Sequence, residues 1–304
     1  MRLLVTGAGA TGGYFGGRLA GAGRDVTFLV RPGRAAQLRQ NGLDIVSPNG
    51  NLSVRPKIVT ADELKDGFDV ILLTVKSYSL AAALDDLAPA VGPATLIVPV
   101  LNGMRHLDTI AERFGVNAVA GGLCRIVATL DNAGRVVQLT PLHDLVFGEL
   151  DGSLSPRIKA VADVLAGAGF ATRLSDNIRR DMWGKWLLLA ALGAVTCLMR
   201  GSIGEIVAAP GGRAFADAVI DECLAVIAAV GTPLDPAAIT MTRTLLTEAG
   251  SPFVSSMYRD LIAGHEIEAD QIVGDLVGRA GRAGVPTPLL SAAYSHLCVY
   301  AARR

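Results

Sequence analysis

Charge is scarce in this sequence. Asp, Glu, Lys and Arg make up 18% of the 304 residues, and 28 basic residues balance 28 acidic ones. No basic block tracks a phosphate backbone, so nucleic acid is not an expected partner. Aromatic residues are also few, at 5%, while hydrophobic residues reach 51%, enough to bury a large core and to argue against disorder. The four cysteines, Cys124, Cys197, Cys223 and Cys298, stand far apart without CxxC spacing, which argues against a zinc site or a redox pair. Reduced core thiols in a cytoplasmic protein are the expectation. His106, His143, His265 and His296 are scattered without metal-ligand spacing, so no metal is expected. The uncharged run from Trp186 to Met199 falls short of the roughly 20 apolar residues of a spanning helix. It contains Gly193, Thr196 and Cys197, reads as a buried core helix, and gives no reason to expect a membrane partner. At the N-terminus, MRLLVTGAGATGGYFGG turns to glycine where a signal peptide would continue its apolar region.

What is present falls into two halves. The first alternates short apolar runs with helical stretches: RLLVTG (2–7), DVTFLV (25–30), DVILLTV (69–75) and TLIVPV (95–100). Fully apolar strands separated by helices imply a parallel sheet covered on both faces. Beyond residue 117, VNAVAGGLC, GRVVQLT and DLVFGEL add strands, some of them antiparallel. Past LSDN, where Asp176 offers an N-cap, apolar stripes recur at helical spacing over 177–200, 213–231, 235–249 and 268–283. The expected architecture is α/β: an N-terminal Rossmann-type doubly wound sheet over residues 1–175, followed by an all-helical domain over 176–304.

Gly7, Gly9 and Gly12 form G-x-G-x-x-G directly after a strand, with Ala10 and Thr11 opening the helix that follows. The first glycine makes the tight turn, the second lets the backbone approach a pyrophosphate, and the third lets helix and strand pack closely. The helix N-terminus adds amide donors and positive dipole. About 20 residues on, where an NAD enzyme carries a carboxylate for the ribose hydroxyls, this chain has Arg31, with Arg34 close behind. A guanidinium matches a 2′-phosphate and a carboxylate repels it, so NADPH/NADP is the expected cofactor. Lys76 and Asn102 each follow a strand at its carboxyl end, where ligands of such sheets bind.

With these residues in place, the chain resembles the ketopantoate reductase (2-dehydropantoate 2-reductase) family nearly end to end. The resemblance is carried by GAGATGGYFGGRLAGAG, LLTVKSY, LNGM, MWGKW, SSMYRDLIAGHEIEAD and GVPTP. It implies NADPH-dependent reduction of the small-molecule 2-oxo acid ketopantoate to pantoate, in pantothenate biosynthesis, with a homodimer as the assembly to test for. It also implies roles: Lys185 as proton donor, Glu268 in contact with cofactor and lysine, Asn102 facing cofactor and substrate, and Ser256 holding the substrate. The chemistry agrees, because hydride delivery to a carbonyl carbon leaves an oxyanion that must receive a proton as it forms. The apolar run after Lys185 would ease proton release from it, and Glu268 is the carboxylate that would hold the proton, with Glu266 and Asp270 as competitors. Trp183 and Trp186 flank Lys185 as packing residues.

The pattern breaks at three positions. The family places substrate asparagines four and eight residues after the lysine and just before a Gly-Glu pair; here those positions are Leu189, Gly193 and Ile203. Such replacements are expected to enlarge and dry the pocket, and a substrate hydroxyl left without a partner costs about 1–3 kcal/mol. Two alternatives therefore stand beside ketopantoate reduction: a paralogue acting on a more apolar 2-oxo acid, carbonyl or imine, and a non-catalytic NADP-binding sensor.

Overall fold

The computed structural model describes residues 1–65 and 67–304. Two compact units emerge, Met1–Leu101 with His106–Ile178, and Asn102–Arg105 with Arg179–Arg304.

In the first unit the elements run β1 (Leu3–Thr6), α1 (Ala10–Gly21), β2 (Val26–Leu29), α2 (Pro32–Asn41), β3 (Leu43–Val46), β4 (Leu52–Val54), β5 (Lys57–Val59), β6 (Val70–Leu73), α3 (Leu80–Leu87), β7 (Leu96–Pro99), α4 (Arg105–Phe114), β8 (Gly121–Leu130), β9 (Val136–Gly148), α5 (Pro156–Leu165) and β10 (Ala171–Leu174). One sheet is parallel throughout, in the order β5-β2-β1-β6-β7. Every residue of β1, β2, β6 and β7 is buried, which is why these strands carry no polar alternation. The chain builds outward from β1 through β2 to β5, then returns to the other side of β1 with β6 and β7. That reversal puts the topological switch point between β1 and β6, and their carboxyl ends border the crevice where such sheets bind ligands.

The second sheet is mixed, in the order β10-β9-β3-β4, with β8 antiparallel on β9. Helix α1 lies between the sheets, and its glycines are what allow this. A Cβ at Gly16 would fall 2.6 Å from the Phe28 ring of the first sheet. At Gly13 and Gly17 it would meet Val136 at 2.7 Å and Ile45 at 2.8 Å in the second. Each interior glycine costs a helix about 0.5–1 kcal/mol, so α1 is held by packing on both sides rather than by propensity.

The second unit is helical: α6 (Ile178–Met199), α7 (Ile203–Ala208), α8 (Gly212–Val230), α9 (Pro236–Thr247), α10 (Ser256–Ile262), α11 (Asp275–Ala283) and α12 (Pro288–Ala302), with a widened π turn at Asp270–Gly274 leading into α11. Helix α8 packs against α7, α9, α11 and α12. Helix α6 is long and apolar enough to pass a length-and-composition test for a membrane span, yet 67% of its most apolar window is buried inside the protein. It is a core helix. Its first residue is Ile178 rather than one adjoining Asp176; Asn177 donates its N–H to Ser175 Oγ in the turn that precedes it.

Candidate active site

The glycine loop after β1 forms a cradle whose shape the three glycines explain separately. Gly7 has φ 96°, a left-handed conformation that side chains rarely adopt, and its N–H donates to Leu29 O at 3.0 Å. At Gly12 a Cβ would lie 2.0 Å from Gly7 O and 2.2 Å from Thr74 Oγ1, so the helix and the loop meet only because nothing is there. Gly9 differs, since its Cβ would meet nothing within 4 Å. The protein itself places no steric demand on that position, and the open space is what a closely approaching pyrophosphate requires. The first bond of α1 is Gly13 N–H to Gly9 O at 2.8 Å, and no acidic residue sits in the first turn, so helix geometry leaves the amides before Gly13 without an intrahelical acceptor, as donors for an anion.

Thr74 was not foreseen. Its hydroxyl donates to Thr6 O at 2.8 Å and Gly7 O at 3.1 Å, tying the carboxyl end of β6 to that of β1 across the switch point. A threonine closing an apolar strand gives no motif from which to guess this.

Arg31 is the exposed residue preceding α2, whose first residue is Pro32, a position where the missing N–H costs nothing. Its Nη2 donates to Ser79 Oγ at 3.1 Å, which turns the guanidinium toward the segment after β6. Lys76 is exposed, three residues past the end of β6. Arg34 is half-buried, and burial holds its pKa below the ordinary arginine value.

Within the second unit, Lys185 lies half-buried on α6, where its ammonium makes no hydrogen bond or ion pair among the described residues. Glu268 is 6% exposed, whereas its competitors are solvent-facing: Glu266 pairs with Arg304 at 3.8 Å, and Asp270 accepts from Tyr294 Oη at 2.6 Å. The segment after Glu268 is pinned at two further points. Trp186 Nε1 donates to Ile272 O at 2.8 Å, and Gln271 Nε2 donates to Asn102 O at 2.9 Å. A Cβ on Gly103 would fall 2.6 Å from Gln271 O, so the Asn102–Gly103 backbone seats directly on this segment. Gln271 thus ties the Asn102 backbone to the segment that follows Glu268. The Asn102 side chain is left without a hydrogen bond among the described residues.

Ser256 opens α10, half-buried and with its hydroxyl unengaged among the described residues. Its neighbour Ser255 does the capping, accepting from Tyr258 N–H at 2.9 Å and sharing a 3.0 Å hydrogen bond with Thr196. The expectation of an enlarged pocket where asparagines are replaced is corrected at two of three positions. Met257 Cε stands 2.7 Å from where a Gly193 Cβ would be, so the vacated volume is filled from within. Ile203 is 0% exposed, a core residue opening α7. Only Leu189, half-buried one helical turn beyond Lys185, keeps accessible surface.

Trp183 and Trp186 stack on each other at 4.8 Å. The histidines lie apart: His106 fully buried on α4, His143 hydrogen-bonded to Tyr14 at 2.6 Å, His265 exposed, and His296 half-buried on α12. All four cysteines are free, and burial pushes the Cys197 thiol up to about 12, an inert group.

Comparison with known proteins brings these features into one frame. The family model described as ketopantoate reductase PanE/ApbA matches residues 3–152, and that of the ketopantoate reductase PanE/ApbA C terminal matches 177–301. The chain is 38% identical to the uncharacterized oxidoreductase YkpB of Bacillus subtilis over 100% of both chains. It is similar to the crystal structure of a PanE/ApbA family ketopantoate reductase from Ralstonia eutropha, with a TM-score of 0.90 and 26% identity over 100% of this chain and 99% of that one. For 2-dehydropantoate 2-reductase from Methylococcus capsulatus the TM-score is 0.88, with 29% identity over 100% and 97%.

Proposed function

Because the chain belongs to the ketopantoate reductase PanE/ApbA family, we propose that it is an NADPH-dependent 2-oxo acid reductase in which Lys185 protonates the carbonyl oxygen. The observation that carries this reading is the Lys185 ammonium, half-buried at the start of an apolar stretch of α6 with no hydrogen bond or ion pair among the described residues. A half-buried cation without a counter-ion is costly, and a substrate oxygen gaining negative charge compensates it at the moment of reaction. Bound reduced nicotinamide supplies the hydride.

The remaining roles follow from the residues. Gly9 and the first turn of α1 take the pyrophosphate, and Arg31 and Lys76 take the adenosine-side phosphate and nearby oxygens. The buried Glu268 carboxylate is the group this reading assigns to contact with the cofactor and Lys185. The Asn102 amide and the Ser256 hydroxyl, both without hydrogen-bond partners among the described residues, are donors for cofactor and substrate oxygens. Free cysteines fit a reducing compartment, and the cytoplasm is the proposed location.

Ketopantoate is the substrate this reading favours. A second reading, a more apolar 2-oxo acid, is favoured by a specific observation: the α6 face beyond Lys185 presents Leu189, then Met257 lodged at Gly193, with no side chain to receive a substrate hydroxyl. The test is NADPH consumption with ketopantoate and with 2-oxo acids of increasing apolar bulk. Turnover of ketopantoate above the others supports the first reading, the reverse order supports the second, and cofactor binding without turnover of any of them refutes both in favour of a sensor.

A further inference from the structure

Arg34 is joined to the phosphate loop from the side opposite its opening. Its Nε donates to Ala8 O at 3.0 Å, and its Nη1 donates to Gln37 Oε1 at 2.5 Å and to Gly134 O at 2.9 Å. Nη2 is buried with no hydrogen-bond partner, and no carboxylate pairs with the guanidinium among the described residues. A half-buried cation with no carboxylate beside it and one buried nitrogen unpartnered is a weak stabiliser of the fold, which points to a role in what its partners do.

The partner that matters is Ala8 O. No peptide among the described residues is cis, and across a planar trans peptide the carbonyl and the next N–H point in opposite directions. With Ala8 O drawn to Arg34, the Gly9 N–H is turned away from it. Burial changes across the same peptide: Ala8 is 3% exposed, whereas Gly9 is exposed with open space about its Cα. The Gly9 N–H has no hydrogen bond among the described residues.

The far end of this linkage is the turn between β8 and β9. Asp131 Oδ1 accepts from the N–H groups of Ala133 and Arg135 at 3.0 and 2.9 Å, which shapes the turn. Gly134, at φ 78°, lies so close to α2 that a Cβ would fall 2.1 Å from Gln37 Nε2. The turn thereby offers two carbonyls to α2, Ala133 O to Gln37 Nε2 at 2.9 Å and Gly134 O to Arg34.

We propose that Arg34 is a positioning residue for the cofactor pyrophosphate: clasped by the β8–β9 turn, it locks the Ala8–Gly9 peptide so that the Gly9 N–H faces the ligand. This rests on the reading that the cradle takes a nicotinamide dinucleotide. It divides the labour between two arginines three residues apart. Arg31, exposed, answers the 2′-phosphate and so distinguishes NADPH from NADH; Arg34 acts on the pyrophosphate that both share.

Calorimetric titration of the full chain with NADPH, NADH, ADP-ribose and adenosine 2′-monophosphate tests this without relying on turnover. Arg34→Met is expected to weaken NADPH, NADH and ADP-ribose by a common factor, about tenfold to a hundredfold for one misdirected hydrogen bond to a charged group. Adenosine 2′-monophosphate, which has no pyrophosphate, keeps its wild-type affinity, whereas Arg31→Ala weakens NADPH and adenosine 2′-monophosphate and spares NADH and ADP-ribose. Gly134→Ala loosens the clasp from its surface end, should show the Arg34→Met pattern with a smaller factor, and decides the matter alone if Arg34→Met fails to fold. Unchanged ADP-ribose affinity in both variants overturns the proposal, as does an equal loss for adenosine 2′-monophosphate. A wild-type chain that binds none of the four removes the dinucleotide reading and the role of Arg34 with it; wild-type binding with unaltered variants removes the role of Arg34 alone.

Discussion

Replacing Gly12 with alanine would put a methyl carbon 2.0 Å from Gly7 O and 2.2 Å from Thr74 Oγ1, while the same change at Gly9 would put one in open space. The two substitutions should therefore separate folding from binding. At Gly12 the nearest atom is backbone and cannot swing aside, so α1 must shift or the Thr74 hydroxyl must leave Thr6 O and Gly7 O. Overpacking of this kind costs about 1–3 kcal/mol, and two lost hydrogen bonds add about 1 kcal/mol each, for a total of about 3–5 kcal/mol. At Gly9, φ is −76°, which alanine adopts freely. Reduced unfolded-state entropy offsets the weaker capping of alanine, leaving a net change within about 1 kcal/mol. Urea unfolding of the unliganded protein, paired with NADPH titration, measures both quantities. Gly12→Ala should lower the unfolding midpoint sharply; Gly9→Ala should leave it nearly unchanged yet weaken NADPH binding by about tenfold or more as the methyl meets the pyrophosphate. Wild-type NADPH affinity in Gly9→Ala would refute the placement of the pyrophosphate in this cradle.

Other consequences are as direct. Arg31→Ala should weaken NADPH by about tenfold to a hundredfold, the worth of hydrogen bonds to one charged group, and leave NADH unchanged in the same titration. Leu189→Asn restores a polar group one turn beyond Lys185 and should raise kcat/KM for ketopantoate relative to an apolar 2-oxo acid by about 1 kcal/mol or more, read from paired steady-state assays. Glu149 is held below its ordinary value first by hydrogen bonds from Arg157, with Ser155 adding to them, at 2.6 Å in each case. A depressed folded value means that its stabilisation is complete above the unfolded value near 4.5 and is lost as pH falls through the folded one. Glu149→Gln should cost about 1–3 kcal/mol at neutral pH and flatten the acid side of the stability curve, seen as a smaller drop in urea midpoint between about pH 5 and about pH 3.

The parallel sheet was legible because its central strands are short, almost wholly apolar runs, each followed by a turn and a helical stretch. So was the long helix of Lys185, whose apolar stretch is interrupted by small and polar residues in the manner of a core helix. The second sheet was only partly so: β3, β4 and β10 are three or four residues each, too short to show a period of two. Helices α7 and α10 are likewise too short for a helical stripe, with 6 and 7 residues. The glycine fingerprint was readable because backbone geometry restricts the residue types allowed at Gly7 and Gly12. Thr74, Gln271 and Met257 were not, because each acts through a contact with a residue distant in sequence and belongs to no local pattern. The three replaced asparagine positions show the same limit. Sequence registers the lost side chains at Gly193 and Ile203, but only the fold shows Met257 filling the first site and the core enclosing the second.

The central claim concerns one ammonium group, and the most direct measurement is NADPH oxidation, followed by absorbance with the best 2-oxo acid of the panel, in wild-type and Lys185→Met chains that both bind NADPH. The account predicts steady consumption by wild type and a loss of about a hundredfold or more in Lys185→Met, the scale of a removed general acid, with NADPH affinity preserved. A Lys185→Met chain that turns over at the wild-type rate would contradict it.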